Sequence, residues 1–180
     1  VVPDMMTFAK GVTSAYVPLG GVLVRERIAQ HFDTNAMWLG HTYSGHPLAM
    51  AAASAAIDAY TDEGLFTSAA HREARFRDRL NTLLEKHEIL GEVRGIGFFF
   101  ALEFVSDRDL RTPLVPWQGK TQGPMPAFFA GLRKRGAICF GRYNIVHVAP
   151  PLNTSDADLD TFVEALDGAI GDLAEAAARA

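Results

Sequence analysis

The sequence predicts a mixed α/β chain in two parts that meet near residue 62. Three observations predict it. Two short β-type runs, Met5 to Ala9 and Gly21 to Val24, flank a turn rich in Gly and Pro, and an Ala-rich helix follows. Asp62-Glu63-Gly64 then interrupts the pattern ahead of a long amphipathic helix. Beyond that helix the order is strand, helix, strand, strand, helix, which suits a small α+β unit with helices packed on a sheet.

In chain order, Met5 to Ala9 and Gly21 to Val24 read as strands, and Arg25 to Phe32 as a short helix. Gly40 to Pro47 is a loop dense in polar and aromatic residues. A helix starts near Pro47, where proline is tolerated in the first turn, and runs to about Tyr60. Leu65, Phe66, Ala69, Phe76, Leu80, Leu83 and Leu84 recur at helical spacing and end near His87. Glu92 to Val105 reads as β structure. Its two alternating sets, Phe98-Phe100-Leu102-Phe104 and Phe99-Ala101-Glu103-Val105, are mostly apolar, so cover on both faces is expected. Ser106 to Pro124 is a long polar loop holding Trp117, and such loops are often functional. A helix over about 126–135 buries Phe128, Phe129 and Leu132, with Gly136 suited to its C-terminal cap. Strands follow over 137–140 and 145–149, stopped by Pro150-Pro151. The last helix begins near Ser155 with Asp158 as capping partner, and the Ala-rich tail after Ala174 is expected to fray.

The bulk numbers bound the function classes. A chain of 180 residues makes one ordinary domain or two small ones. With 48% hydrophobic and 21% charged residues it is globular, not disordered. A net charge of −4 gives no global attraction to nucleic acid or anionic membrane. The basic cluster Arg133-Lys134-Arg135 reads as the last turn of a helix, where cations complement the carbonyl end. A single cysteine, Cys139, excludes an internal disulfide, fits a reducing cytoplasm and reads as packing. No apolar run approaches the length of a membrane span, and no signal peptide is visible. The chain does not begin with Met, and the expectation is that it is the C-terminal part of a longer protein.

Three positions carry chemistry, and a fourth run reads as structural. Lys10 sits in Phe8-Ala9-Lys10-Gly11-Val12-Thr13, ahead of Pro18-Leu19-Gly20-Gly21, among small and apolar residues. That setting lowers an ammonium pKa by desolvation and frees an amine for Schiff-base chemistry, whereas a lysine taken singly is most often a solvated surface charge. Thr42 lies in Thr42-Tyr43-Ser44-Gly45-His46-Pro47, just before a helix start. A hydroxyl there with nearby N–H groups suits an anion, or else makes only local side chain–backbone bonds. Arg142 precedes Tyr143-Asn144-Ile145-Val146-His147-Val148-Ala149-Pro150-Pro151-Leu152. A guanidinium can grip a carboxylate in bidentate fashion, or merely decorate a turn. Arg94-Gly95-Ile96-Gly97 reads as a backbone requirement at the glycines, with Arg94 ordering the domain join. His41 and His46 are five apart with no Cys or acidic cluster beside them, so no metal is expected.

Together these runs resemble the class III pyridoxal-phosphate (PLP) aminotransferases, the ω-amino acid aminotransferases. Pro3-Asp4, the strand Met5 to Ala9, Lys10-Gly11 and Pro18-Leu19-Gly20-Gly21 resemble the cofactor-lysine segment of that family over about twenty residues. The run from Arg142 to Leu152 resembles its C-terminal strand, closest to the taurine–pyruvate type. The resemblance implies fold type I of the PLP-dependent transferases: residues 1–62 as the end of the large PLP-binding domain and 63–180 as the small C-terminal domain. It implies PLP on Lys10 as a Schiff base, Thr42 donating to the phosphate of the neighbouring subunit's cofactor, and hence a homodimer. It implies Arg142 on the substrate carboxylate, and an amino group moved from an ω-amino acid, amine or taurine-like donor to a keto acid such as pyruvate. The family's pyridinium-pairing aspartate, ring-stacking aromatic and phosphate loop precede the lysine strand, so this chain alone is expected to be inactive. An aminomutase, decarboxylase or racemase with the same site, or a non-catalytic truncated fragment, are the other readings.

Overall fold

The computed structural model describes residues 1–119 and 121–179, which form two compact units, Val1–Gly64 and Leu65–Ala180. The first unit is built on an antiparallel pair, β1 (Met5–Ala9) and β2 (Gly20–Val24), in the register Phe8–Gly21 and Ala9–Gly20. Gly21 leaves room for the ring of Phe8, which lies across it and would have to shift to admit a Cβ. Arg25 closes the open end of the pair. It donates from Nε to Pro3 O (3.1 Å) and from a terminal nitrogen to Val2 O (2.9 Å), while Arg27 pairs with Asp4 at 2.6 Å.

The short helix α1 (Glu26–Ala29) passes into a 3₁₀ turn over Gln30–Asp33. After the loop comes α2 (Pro47–Asp62). Its buried Ala49 and Ala53 and half-buried Ala56 and Tyr60 recur at spacings of three and four, so a face of small side chains ends in one tyrosine. That face packs on the turn that follows β1. Small residues allow the close approach that positions the turn.

The second unit starts with α3 (Leu65–Lys86) and then a hairpin, β3 (Leu90–Ile96) and β4 (Phe99–Asp107). The single β run expected over 92–105 is thus two strands. The turn falls at Gly97-Phe98, where Gly97 has φ 58°, a region glycine enters without steric cost. A two-residue segment, β5 (Thr112–Pro113), pairs with β4 inside the expected long loop. Next come α4 (Met125–Lys134), β6 (Phe140–Arg142), β7 (Ile145–Val148) and α5 (Asp156–Ala177). The sheet order is β3-β4-β7-β6, all antiparallel, with β5 on β4. Strand pairing begins at Phe140 rather than Ala137, and α5 stays helical to Ala177, as its strong helix formers favour.

One face of β4 and β7 (Phe100, Leu102, Phe104, Val146 and Val148) meets Phe76, Leu80 and Leu83 of α3, Phe128 and Leu132 of α4, and Leu159, Val163, Leu166 and Ile170 of α5 in one core. Each such side chain contributes about 1.5–3 kcal/mol by leaving water. Cover on both faces is not what the unit shows. Phe99 and Phe140 are exposed on the other face and stack on either side of His147, with centroids 5.8 and 5.6 Å away. Arg94 sits on this sheet too, bridging Glu92 at 2.7 Å and Glu103 at 2.5 Å. Cys139 packs against the core, and burial pushes its thiol up to about 11. Of the basic cluster, Arg133 and Lys134 lie in the last turn of α4, and Arg135 pairs with Asp172 of α5 at 2.6 Å.

Ser155 caps α5 by accepting from Asp158 N at 3.1 Å. Arg108 caps the other long helix. One of its terminal nitrogens donates to Leu84 O (2.8 Å), His87 O (2.7 Å) and Leu90 O (2.8 Å), gathering the carbonyls at the end of α3. Arg108→Ala removes all three of these hydrogen bonds, leaving His87 O only its bond from Leu90 N, and is expected to cost about 2 kcal/mol, read as a lower urea midpoint. Glu88→Ala removes only an exposed partner 3.7 Å away and is expected to leave the midpoint in place.

Two carboxylates tie helices together, and a third ties α3 to the β3–β4 turn. A hydrogen bond from Arg135 holds Asp172 below the ordinary carboxylate range. Arg77 and the Gly97 N–H do the same for Glu73. Burial raises Asp167, but hydrogen bonds from Lys86 and His87 outweigh it and bring it below the ordinary range. Groups depressed on folding stabilise fully above their unfolded values and lose that contribution as the pH falls through their folded ones. The urea midpoint should therefore drop as the pH is lowered below about 4, and the drop should be smaller in Asp172→Asn.

Candidate active site

Lys10 is the first residue beyond the β1–β2 ladder and opens a 3₁₀ turn over Lys10–Thr13. Its φ is 57°, and Ser14 and Ala15 follow at 49° and 64°. Non-glycine residues in this region each cost of order 1–3 kcal/mol and persist only where the surroundings hold them. Here the buried Thr13 donates from Oγ1 to Val17 O at 2.6 Å. Ser14 N donates to Gly11 O and Tyr16 N to Thr13 O, both at 3.0 Å. From α2, the Tyr60 hydroxyl donates to Gly11 O at 2.6 Å.

Lys10 borders a cleft of about 590 Å³ with Thr13, Ala15, Val17, Pro18 and Leu19. It forms no ion pair among the described residues, whereas Lys86 pairs with Asp167. The lysine is exposed, so the apolar enclosure expected from its neighbours in sequence is not supplied by the described residues. The 3₁₀ turn carries it out of the strand pair rather than under it.

Thr42 begins the turn before α2, where Ser44 N donates to His41 O (3.0 Å) and His46 N to Tyr43 O (3.3 Å). Thr42 is exposed, and its hydroxyl has no partner among the described residues. His46 takes the N-cap position of α2 without a side-chain cap. Its ring lies 5.9 Å from that of Tyr43, and its Nδ1 is shut from solvent with no hydrogen-bond partner among the described residues. The helix start thus leaves N–H donors open beside a free hydroxyl, an arrangement suited to an anion. No cluster of three or more metal-binding side chains lies among the described residues.

Arg142 ends β6 at a two-residue turn, Tyr143-Asn144, between the paired Arg142 and Ile145. Tyr143 has φ 55°, a position where hairpins usually place glycine. The buried Asn144 holds the turn: its Nδ2 donates to Phe104 O at 2.9 Å and Phe104 N donates to Asn144 O at 2.8 Å. The Arg142 guanidinium lies 5.1 Å from the Tyr143 ring centroid and 5.8 Å from that of Trp117. Arg72, Arg75, Arg79, Arg94 and Arg135 all pair with carboxylates. Arg142 has no carboxylate partner among the described residues. Lys10 and Thr42 belong to the first unit, with no hydrogen bond or ion pair between them, and Arg142 belongs to the second.

Sequence reasoning missed Thr13, Tyr60, Asn144 and Tyr143, which support the turns. The signal for Tyr60 was its place at the end of the small-residue face of α2. Thr13 and Asn144 act through bonds to backbone carbonyls, which no local pattern announces.

The family model described as Aminotransferase class-III matches residues 1–170. This chain belongs to the class-III aminotransferases. It is 35% identical over 94% of its length to the adenosylmethionine-8-amino-7-oxononanoate aminotransferase of Nitratidesulfovibrio vulgaris, of which it covers 31%. It is 34% identical over 98% of its length to the diaminobutyrate–2-oxoglutarate transaminase of Halomonas elongata, of which it covers 38%. Among solved structures, the taurine:2-oxoglutarate aminotransferase of Bifidobacterium kashiwanohense, in complex with PLP and glutamate, superposes with a TM-score of 0.90 at 38% identity, covering 95% of this chain and 38% of that one. An S-selective transaminase from Arthrobacter gives a TM-score of 0.87 at 30% identity. The chain therefore spans about a third of the length of these class-III relatives, and its fold is that of the PLP-dependent transaminases. Class-III aminotransferases depend on PLP.

Lys10→Gly should be more stable than Lys10→Ala by about 1 kcal/mol, because glycine enters the left-handed region freely and alanine does not. Equal thermal midpoints for the two variants would mean that the lysine backbone is not held there.

Proposed function

We propose that this chain supplies the cofactor lysine, a phosphate-facing loop and the carboxylate-binding arginine of a PLP-dependent transaminase. The reaction moves an amino group from an ω-amino acid, amine or taurine-like donor to a keto acid such as pyruvate. The observation that carries the reading is Lys10: an amine without an ion pair among the described residues, on a strained backbone, beside a cleft, in a chain of the class-III family. That setting fits the cofactor, since the covalent link needs an uncommitted amine. PLP, when bound, supplies the electron sink that stabilises negative charge on the substrate carbon.

Lys10 Nζ is the atom through which the chain holds the cofactor. With PLP bound, Nζ would act as general base and then acid, taking the proton from the donor's amine-bearing carbon and giving it to the cofactor's aldehyde carbon. In the second half-reaction Nζ would take a proton back from that cofactor carbon and give it to the carbon derived from the keto acid. Thr42 Oγ1 donates to the cofactor phosphate of the neighbouring copy, with the N–H groups at the start of α2 beside it. This reading makes the protein a homodimer. Arg142 takes the carboxylate of the donor or the keto acid. The single free Cys139 goes with a reducing compartment such as the cytoplasm. Among the described residues no helix is long and apolar enough to cross a membrane.

The test is a two-stage assay of the PLP-loaded protein in which this chain is joined to its natural upstream sequence, because the chain alone is expected to be inactive. β-Alanine alone should convert the bound cofactor to its amine form in one stoichiometric turnover, and pyruvate added afterwards should restore it with one equivalent of alanine. Continuous consumption of donor without a keto acid would instead identify a decarboxylase or mutase. Thr42→Ala should retain PLP about tenfold more weakly, measured by equilibrium dialysis, because one phosphate hydrogen bond is lost.

A further inference from the structure

The free guanidinium of Arg142 is not loose. Trp117 and Tyr143 form a wedge, with ring centroids 4.9 Å apart and planes inclined by 54°. Arg142 lies over both rings, and a terminal nitrogen is 3.4 Å from the Tyr143 hydroxyl. Tyr143 is fixed by its left-handed backbone and by the Asn144 anchor on β4. Trp117 is 69% exposed, so its ring is placed on this wedge and not in the core. Beside the wedge, Arg142 and Tyr143 border a cavity of about 310 Å³ with Thr121 and Gln122.

We propose that Trp117 and Tyr143 are positioning and specificity-determining residues for substrates that carry a carboxylate. The proposal rests on the carboxylate role assigned to Arg142 above. Aromatic rings attract a guanidinium through its face and leave the in-plane N–H donors unspent. An acidic partner would occupy those donors and compete with the substrate. The wedge therefore holds the charge in place at low entropy cost: one terminal nitrogen donates to the Tyr143 hydroxyl, and the remaining N–H donors stay open for a carboxylate. A neutral amine gains nothing from it.

The experiment uses the PLP-loaded protein with this chain joined to its natural upstream sequence, and pyruvate as the carboxylate probe. Arg142→Ala is expected to raise KM for pyruvate more than about tenfold. Trp117→Ala should raise it about fivefold with kcat little changed, and Trp117→Phe should bring KM back toward the parent value. A second readout needs no turnover. The δ-methylene protons of Arg142 should show an upfield ring-current shift in NMR spectra, lost in Trp117→Ala and kept in Trp117→Phe. Should Trp117→Ala fold poorly, Tyr143→Leu provides the same comparison. If Arg142→Ala raises KM and Trp117→Ala moves neither KM nor the shift, the wedge is overturned and the carboxylate role of Arg142 stands. If Arg142→Ala leaves KM for pyruvate unchanged, that role falls and the wedge falls with it.

Discussion

The candidate site depends on a backbone that would not hold its shape alone. Lys10 lies in the left-handed region, followed closely by Ser14 and Ala15, and none of the three is glycine. The turn persists because Thr13 bonds forward to Val17 and Tyr60 bonds across from α2 to Gly11. Conformational strain at the lysine is thus offset by hydrogen bonds from neighbours. The effect is to lift the amine off the end of a strand and present it beside a cleft, instead of laying it along the sheet.

The second unit repeats the device. Tyr143 occupies a turn position that favours glycine, and Asn144 bonds it to Phe104 on the central strand. Phe104 is itself buried in the core that α3, α4 and α5 share. A rigid core fixes the strand, the strand fixes the turn, and the turn fixes the guanidinium. Arg108 at the end of α3 and the carboxylates Glu73, Asp167 and Asp172 keep the helices in register on that core. Stability and site geometry are therefore linked through the same elements.

Much of this was legible in the sequence. The strands around Lys10, the helix opening at Pro47, the Ser155–Asp158 cap and the small-domain order follow from alternation, helical spacing and turn residues. The β3–β4 hairpin was not separated, because Phe98 to Phe100 is apolar without interruption and only Gly97 marks the turn. Cover on both strand faces was expected from the same apolar run, yet Phe99 lies open and pairs with His147. The three site residues stood out by type and setting. Their supports did not, since left-handed backbone at a lysine or a tyrosine has no sequence signature, and Thr13, Tyr60 and Asn144 act on carbonyls. The exposure of Lys10 likewise could not be read from its apolar neighbours.

We propose that Lys10, of the four lysines in the chain, is the one that carries PLP. The direct measurement is borohydride reduction of the PLP-loaded protein followed by peptide mapping by mass spectrometry. The account predicts one phosphopyridoxyl group on Lys10 and none after Lys10→Ala. Label on Lys86, Lys120 or Lys134 with Lys10 unmodified would contradict it.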